Sequence, residues 1–284
     1  MILITGASGK TGTEVARRLS AAKVPFRALV RSAEKGEPLA ALGGEIAIGD
    51  LGDEASVRAA LDGVEKAVLI MPNGEQQQAM ETRFTDLCVE AGIKHLVYLS
   101  SIESVPENKN PITQMHVAVE NHIRQSGLDY TLIRPSFFMQ IFVGSAPAIR
   151  ERGELVMPTG DGTVATTDLR DVAEVIELVL TANGHAGQSY DLTGPELLTL
   201  GECAERFSKV LGREVRHISP PIEAFAERLR SVGLPEWRVM AVCKEFEGIQ
   251  RGLIDHTTST VQDLLGRPPR SLEQFVEDHI DLYR

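Results

Sequence analysis

Cysteine is scarce. Cys88, Cys203 and Cys243 are the only three in 284 residues, far apart and odd in number. Without a Cys-x-x-Cys pair there is no zinc pattern and no disulfide framework, and the usage fits a reducing compartment. Cys88 falls on an apolar helical stripe and reads as core. Basic residues are also short: Lys and Arg number 29 against 40 acidic residues, a formal charge of −11. No basic run breaks that field, which repels a polyanion, so no nucleic-acid partner is expected. No apolar run reaches membrane-spanning length. An apolar strand begins at residue 2 with no basic segment ahead of it. The expectation is a soluble, cytoplasmic chain with no membrane partner, secretory leader or metal site. Repeats and low-complexity tracts are missing too. At 43% hydrophobic residues the chain can bury a full core, which excludes disorder.

What is present begins at the first residues. MILITGASGKTG runs from an apolar strand into a turn with Gly6, Gly9 and Gly12 at three-residue spacing. Glycines at such points let bare backbone amides approach an anion. The helix predicted over 11–22 aims its positive end at the same charge. Gly6, Ser8, Gly9, Lys10, Thr11 and Gly12 are therefore read as the site for a dinucleotide's diphosphate.

Strands are predicted over 25–31, 44–51, 66–72, 94–101 and 128–135, apolar almost throughout, as in a parallel sheet covered on both faces. Helices fall between them. Over 75–91, Met80, Phe84, Leu87, Cys88 and Ala91 share a face before Gly92; over 113–126, Met115, Val119 and Ile123 do so before Gly127. The repeated βαβαβ order predicts an α/β protein, a doubly wound parallel Rossmann sheet. Residues 1–135 are assigned to this NAD(P)-binding domain. Residues 136–284 are assigned to a smaller, mostly helical region covering the cleft, with some elements returning to the Rossmann core. A helix is predicted over 169–182 and a strand over 189–194. Thr199 with Glu202 and Ser271 with Gln274 open further helices as capping boxes, and helices across 222–265 break at Gly233-Leu234-Pro235.

The end of the second strand distinguishes the two pyridine dinucleotides. In the NAD-binding version of this fold an acidic residue about twenty positions beyond the glycines holds the ribose hydroxyl. Here the strand ends Leu29-Val30-Arg31-Ser32, with no carboxylate. Arg31 offers a planar, permanently charged fork to a 2′-phosphate, and Ser32 a hydroxyl. NADP(H) is favoured over NAD(H). Asp50-Leu51 follows the third strand, either near the adenine or as an acid opening the helix over 53–62. Met71-Pro72 ends the fourth strand, where the chain passes the cofactor's middle.

TGASGKTG, Arg31, Asp50-Leu51 and Ser100-Ser101 together resemble the short-chain dehydrogenase/reductase superfamily. HVAVENHIRQSGLDYTLIRP, DLRDVAEVIELVL and SYDLTGPELLT resemble its atypical NmrA-like branch, which holds NADPH-dependent quinone and triphenylmethane-dye reductases beside catalytically silent NADP-sensing regulators. The superfamily's usual chemistry uses a Tyr and a Lys four residues apart on the helix after the fifth strand. Those positions are Ile112 and His116 here, and Ile112 has no proton to give. Tyr98 and Tyr130 lie in apolar strands and read as buried structure.

The resemblance places His116 at a position that contacts the nicotinamide ribose. Its imidazole could bond that ribose or donate a proton near neutral pH. Glu120, one turn on, could orient it or raise its pKa; an ordinary surface pair at this spacing is the alternative. Ser101 matches the catalytic serine position and reads as a loop hydroxyl near the nicotinamide. Residues after the Arg-Pro strand end form substrate walls in the resemblance, which points to Phe137, Phe138, Met139 and Phe142; Trp237 is a further candidate from the C-terminal helices. All would also serve as ordinary core.

Hydride transfer belongs to the cofactor and survives loss of the Tyr. The expectation is an NADPH-dependent reductase passing hydride to a small quinone-like or electron-deficient aromatic acceptor held in an apolar slot. The alternative is a non-catalytic NADP(H)-sensing regulator that binds a protein partner. Either is expected as a monomer or homodimer.

Overall fold

The apolar tripeptide Ile2–Ile4 forms β1, a central strand of a seven-stranded sheet in this computed structural model, which describes residues 1–284. Along the chain follow α1 (Lys10–Ala21), β2 (Phe26–Val30), α2 (Ala33–Ala41), β3 (Glu45–Ile48) and α3 (Glu54–Leu61). Next come β4 (Lys66–Leu69), α4 (Gln77–Glu90), β5 (His95–Leu99), α5 (Pro111–Gln125) and β6 (Asp129–Pro135). Then come α6 (Ile141–Arg152), β7 (Glu154–Val156), β8 (Thr163–Val164), α7 (Leu169–Thr181) and β9 (Gln188–Leu192). The sheet order is β3-β2-β1-β4-β5-β6-β9.

β1 pairs in parallel with β2 on one side, Ile4 opposite Ala28, and with β4 on the other, Ile4 opposite Val68. The winding therefore reverses between β1 and β4. A doubly wound sheet opens its crevice at the carboxyl ends of the strands on either side of such a reversal. Here those ends are locked together: Thr5 Oγ1 donates to Ile70 O (2.9 Å) and accepts from Ile70 N (2.8 Å). Residues 2–4 and 67–69 are fully or almost fully buried, as strands covered on both faces must be.

The chain forms two compact units, and their division differs from a single boundary after residue 135. The first comprises Met1–Ser104, Gln114–Pro135 and Leu169–Asp191; the second comprises Val105–Thr113, Ser136–Asp168 and Leu192–Arg284. α7 presents a wide buried face of Val172, Ala173, Ile176, Val179 and Leu180, and that apolar area is covered by packing on α1. β9 takes the sheet edge beside β6. Both therefore belong with the first 135 residues. Residues 105–113 go to the second unit, where Asn110 Nδ2 donates to Ala241 O (3.1 Å).

The second unit adds β10 (Leu198–Thr199), α8 (Leu200–Leu211), β11 (Arg216–Ile218), α9 (Ile222–Ser231), α10 (Glu236–Gln250), α11 (Thr260–Leu265), α12 (Leu272–Asp278) and α13 (Ile280–Tyr283). Its core gathers Phe142, Phe207, Phe275 and Tyr283. Both capping boxes form, Thr199 with Glu202 and Ser271 with Gln274. α6 forms despite Pro147, because Phe142, Ala146 and Ile149 recur at helical spacing and are buried together. No helix is long and apolar enough to cross a membrane.

Candidate functional site

The three glycines of the opening turn have different reasons to be glycine. Gly6 has φ +56°, and a Cβ there would stand 2.5 Å from Ile70 O. A Cβ on Gly12 would stand 2.3 Å from Gly6 O. These two are dictated by the chain's own backbone, the first by the tight turn and the second by the close seating of α1. Gly9 differs. It is exposed, has φ −82°, and a Cβ would meet only Gly6 O, at 3.2 Å. It is the N-cap of α1, with no side-chain cap and no acid in the first turn of the helix. The positive end of α1 is thus left to whatever anion approaches over Gly9. Ser8 and Lys10 are exposed beside it, and Thr11 is half-buried.

Arg31 follows β2, is exposed, and makes no hydrogen bond or ion pair within the chain. Other arginines are paired, for instance Arg27 with Glu45 and Arg58 with Glu54; several in the second unit are free like Arg31, and what sets Arg31 apart is its place just past the carboxyl end of β2. Ser32 is the N-cap of α2, its Oγ accepting from Lys35 N (3.4 Å). Asp50 turns back on its own loop, Oδ1 accepting from Gly52 N (2.8 Å), while Asp53 caps α3. Leu51 packs half-buried against the sheet core. Met71 is half-buried and Pro72 exposed after β4.

His116 on α5 is buried, and desolvation pulls its pKa down from 6.5 to about 4, against the opposing charge of Glu120. This corrects the reading of His116 as a titrating donor near neutral pH: the ring is neutral there. It also corrects the partner. Glu120 does not bond the imidazole. It is bracketed by Arg134 and Arg124, with Ser100 Oγ donating to Oε1 (2.6 Å). His116 Nδ1 instead meets the Tyr98 hydroxyl at 2.6 Å, and Tyr98 Oη meets Glu81 Oε2 at 2.8 Å. Gln77 Nε2 donates to both Glu81 oxygens (3.3 Å). No cation compensates Glu81, and burial pushes its pKa from 4.5 up to about 8. Ser101 is half-buried, its Oγ accepting from Glu103 N (3.2 Å).

In the second unit Phe137 is half-buried, its ring edge-on to Phe246 with centroids 6.3 Å apart. Phe138 and Trp237 are also half-buried. Met139 is corrected from wall to core: it is 1% exposed, inside the cluster that also seals Phe142. Its position in the turn before α6 points it at the apolar interior rather than outward.

The sequence profile of the NmrA-like family matches residues 1–276. The chain belongs to the NmrA-like family. The NAD(P)H azoreductase of Xenophilus azovorans is 36% identical to it, over 98% of each chain. Among solved structures, the NADPH-dependent quinone oxidoreductase from Escherichia coli, complexed with NADPH, superposes with TM-score 0.90 at 31% identity, covering 99% of this chain and 100% of that one. The Citrobacter sp. triphenylmethane reductase complexed with NADP(H) gives 0.88 at 28% identity, covering 98% and 99%.

In this NmrA-like chain, reading the residues one by one missed the Gln77–Glu81–Tyr98–His116 chain. A signal was available. Glu81 shares a face of α4 with Phe84, Thr85 and Cys88, so helical spacing alone buries a carboxyl among apolar groups.

Proposed function

We propose that this chain is an NADPH-dependent reductase that passes hydride to a small quinone-like or electron-deficient aromatic acceptor without a Tyr–Lys pair. The observation that carries the cofactor choice is Arg31, exposed and unpaired where an NAD-preferring site would place a carboxylate. The residues fit a dinucleotide diphosphate as well. Gly9 leaves open the approach to α1, whose N-terminus no side chain caps, while Lys10 adds a cation beside it. The names of the full-length relatives, reductases of azo compounds, quinones and triphenylmethane dyes, support the same class of reaction. They do not favour a silent regulator, and that reading is not carried further.

Bound reduced nicotinamide supplies the hydride. Arg31 selects the phosphorylated dinucleotide, and the backbone at Gly9 and the start of α1 hold the diphosphate. Ile112 offers no proton, so proton delivery falls to His116, which is neutral at pH 7 and can give up a ring N–H only as Nδ1 takes a proton from the Tyr98 hydroxyl. Within the second unit, Phe137, Phe138 and Trp237 are half-buried aromatics that keep apolar surface out of its core. Purified protein with NADPH and a panel of quinones and azo dyes, followed by loss of NADPH absorbance, tests the reading. Acceptor-dependent oxidation is expected. Tight NADPH binding with no turnover on any acceptor would contradict it.

A further inference from the structure

Glu81 lies on α4, Tyr98 on β5 and His116 on α5, and none of the three is near another in sequence. They meet in one unbranched line: carboxyl to hydroxyl 2.8 Å, hydroxyl to imidazole Nδ1 2.6 Å. Glu81 and Tyr98 are 0% exposed. The far nitrogen of the ring is different. His116 Nε2 makes no hydrogen bond within the chain and is not sealed off as an orphaned buried atom, while the residue keeps 7% exposure. The line therefore has a closed end at Glu81 and an open end at Nε2.

The surroundings suit storage of a proton at the closed end. Glu81 faces the Gln77 amide and the Tyr98 hydroxyl, with no Arg, Lys or His side chain against it. Gln77 Nε2 donates to Glu81, which leaves the single proton of a protonated carboxyl for Tyr98. The only charged group acting on the ring is Glu120, one turn on along α5 and itself held by Arg134 and Arg124. A hydroxyl between a carboxyl and an imidazole must orient its single proton one way or the other. If Glu81 is protonated it donates to Tyr98, which donates to Nδ1, so the ring's proton sits on Nε2. If Glu81 is ionised, Tyr98 donates to it and accepts from Nδ1–H, and Nε2 is bare.

We infer that Glu81, Tyr98 and His116 form a buried proton relay, with Glu81 as the proton store and His116 Nε2 as the outlet toward the acceptor. The inference rests on the reductase reading for its purpose but not for its existence. Reduction of a quinone needs one hydride, from the dihydronicotinamide, and one proton on the oxygen left with the negative charge. His116 Nε2–H gives that proton as Nδ1 takes one from Tyr98 Oη and Tyr98 takes one from the Glu81 carboxyl. Glu81 is left as carboxylate and is reprotonated through the open end before the next turnover: His116 Nε2 takes a proton from water as Nδ1–H passes one to Tyr98 and Tyr98 passes one to Glu81. Glu81 and Tyr98 are positioning residues here, acting through His116.

The test begins on the free protein, with no cofactor or acceptor. Nitrogen NMR of the His116 ring should show the proton on Nε2 at pH 6 and on Nδ1 above pH 9, switching near pH 8, where burial places the Glu81 carboxyl. Glu81→Gln should abolish the switch while leaving the ring neutral, and Tyr98→Phe should uncouple it. A tautomer that stays fixed across this range in the wild type, or a switch that persists in Glu81→Gln, overturns the relay. That outcome is independent of whether the protein turns over any acceptor. In turnover, quinone reduction should fall about tenfold per pH unit above pH 8 through kcat rather than KM for NADPH. Glu81→Gln should flatten that profile. A triphenylmethane cation accepts hydride with no proton, so its reduction should be untouched by Glu81→Gln; equal slowing of both acceptors would reduce Glu81 to a merely structural role.

Discussion

Gly12 sits so close to Gly6 that a Cβ on it would fall 2.3 Å from the Gly6 carbonyl oxygen and 2.7 Å from Ala7 Cα. The contact is backbone on backbone, with no flexible side chain to give way. Gly12→Ala should therefore displace α1 from β1 and lower stability by several kcal/mol, on the scale of about 1–3 for overpacking or more. Gly9→Ala is the contrasting case. Its φ of −82° suits alanine and its nearest contact is 3.2 Å, so thermal unfolding should change little while NADPH binding weakens. Loss of stability in both variants alike would show that Gly9 is structural too.

Burial displaces Glu81 and His116 in opposite directions, and stability should follow. The folded Glu81 carboxyl titrates at about 8 rather than 4.5. Between those values the native state holds the extra proton, so stability falls as pH rises, by about 1.4 kcal/mol per unit. The folded His116 ring titrates at about 4 rather than 6.5. Between those values the unfolded state holds the extra proton, so stability rises with pH. The two slopes oppose each other from about pH 4.5 to 6.5 and leave a net decline from about 6.5 to 8. Urea unfolding of wild type and Glu81→Gln across this range checks it: the variant should lose the decline.

Glu120 is 1% exposed and held by Arg134, which is 17% exposed, and by Arg124, which is 35% exposed. Removing the buried member leaves Arg134 with only the longer pair to Asp191 (3.9 Å), so Glu120→Ala should cost about 3 kcal/mol. Arg124→Ala gives up a half-exposed pair and should cost about 1 kcal/mol or less. Chemical denaturation of the two variants separates them. Equal losses would mean that the network is shared evenly rather than centred on Arg134.

The parts of this molecule legible in the sequence are those written locally. The glycine turn, the apolar strands, the stripe ending at Gly92 and the two capping boxes each depend on residues a few positions apart. The doubly wound parallel sheet followed from the repeated βαβ pattern, because crossovers between parallel strands leave few arrangements. What was not legible depended on distant partners. β7 and β11 are three residues each and pair across some sixty positions, too short to carry a periodic signal. α6 was hidden by Pro147. The exchange of Glu120 for Tyr98 as the neighbour of His116 Nδ1 came from β5 lying under α5, which i, i+4 counting cannot see.

In the proposed cofactor site Arg31 reads the extra phosphate of NADP(H), beside the glycine turn that holds the diphosphate. Titration calorimetry of Arg31→Ala with NADPH and NADH tests it most directly. NADPH binding should weaken by on the order of 1.5–3 kcal/mol, about 10- to 150-fold, with NADH affinity nearly unchanged. Equal loss for both nucleotides, or no heat from either with the wild-type protein, would contradict it.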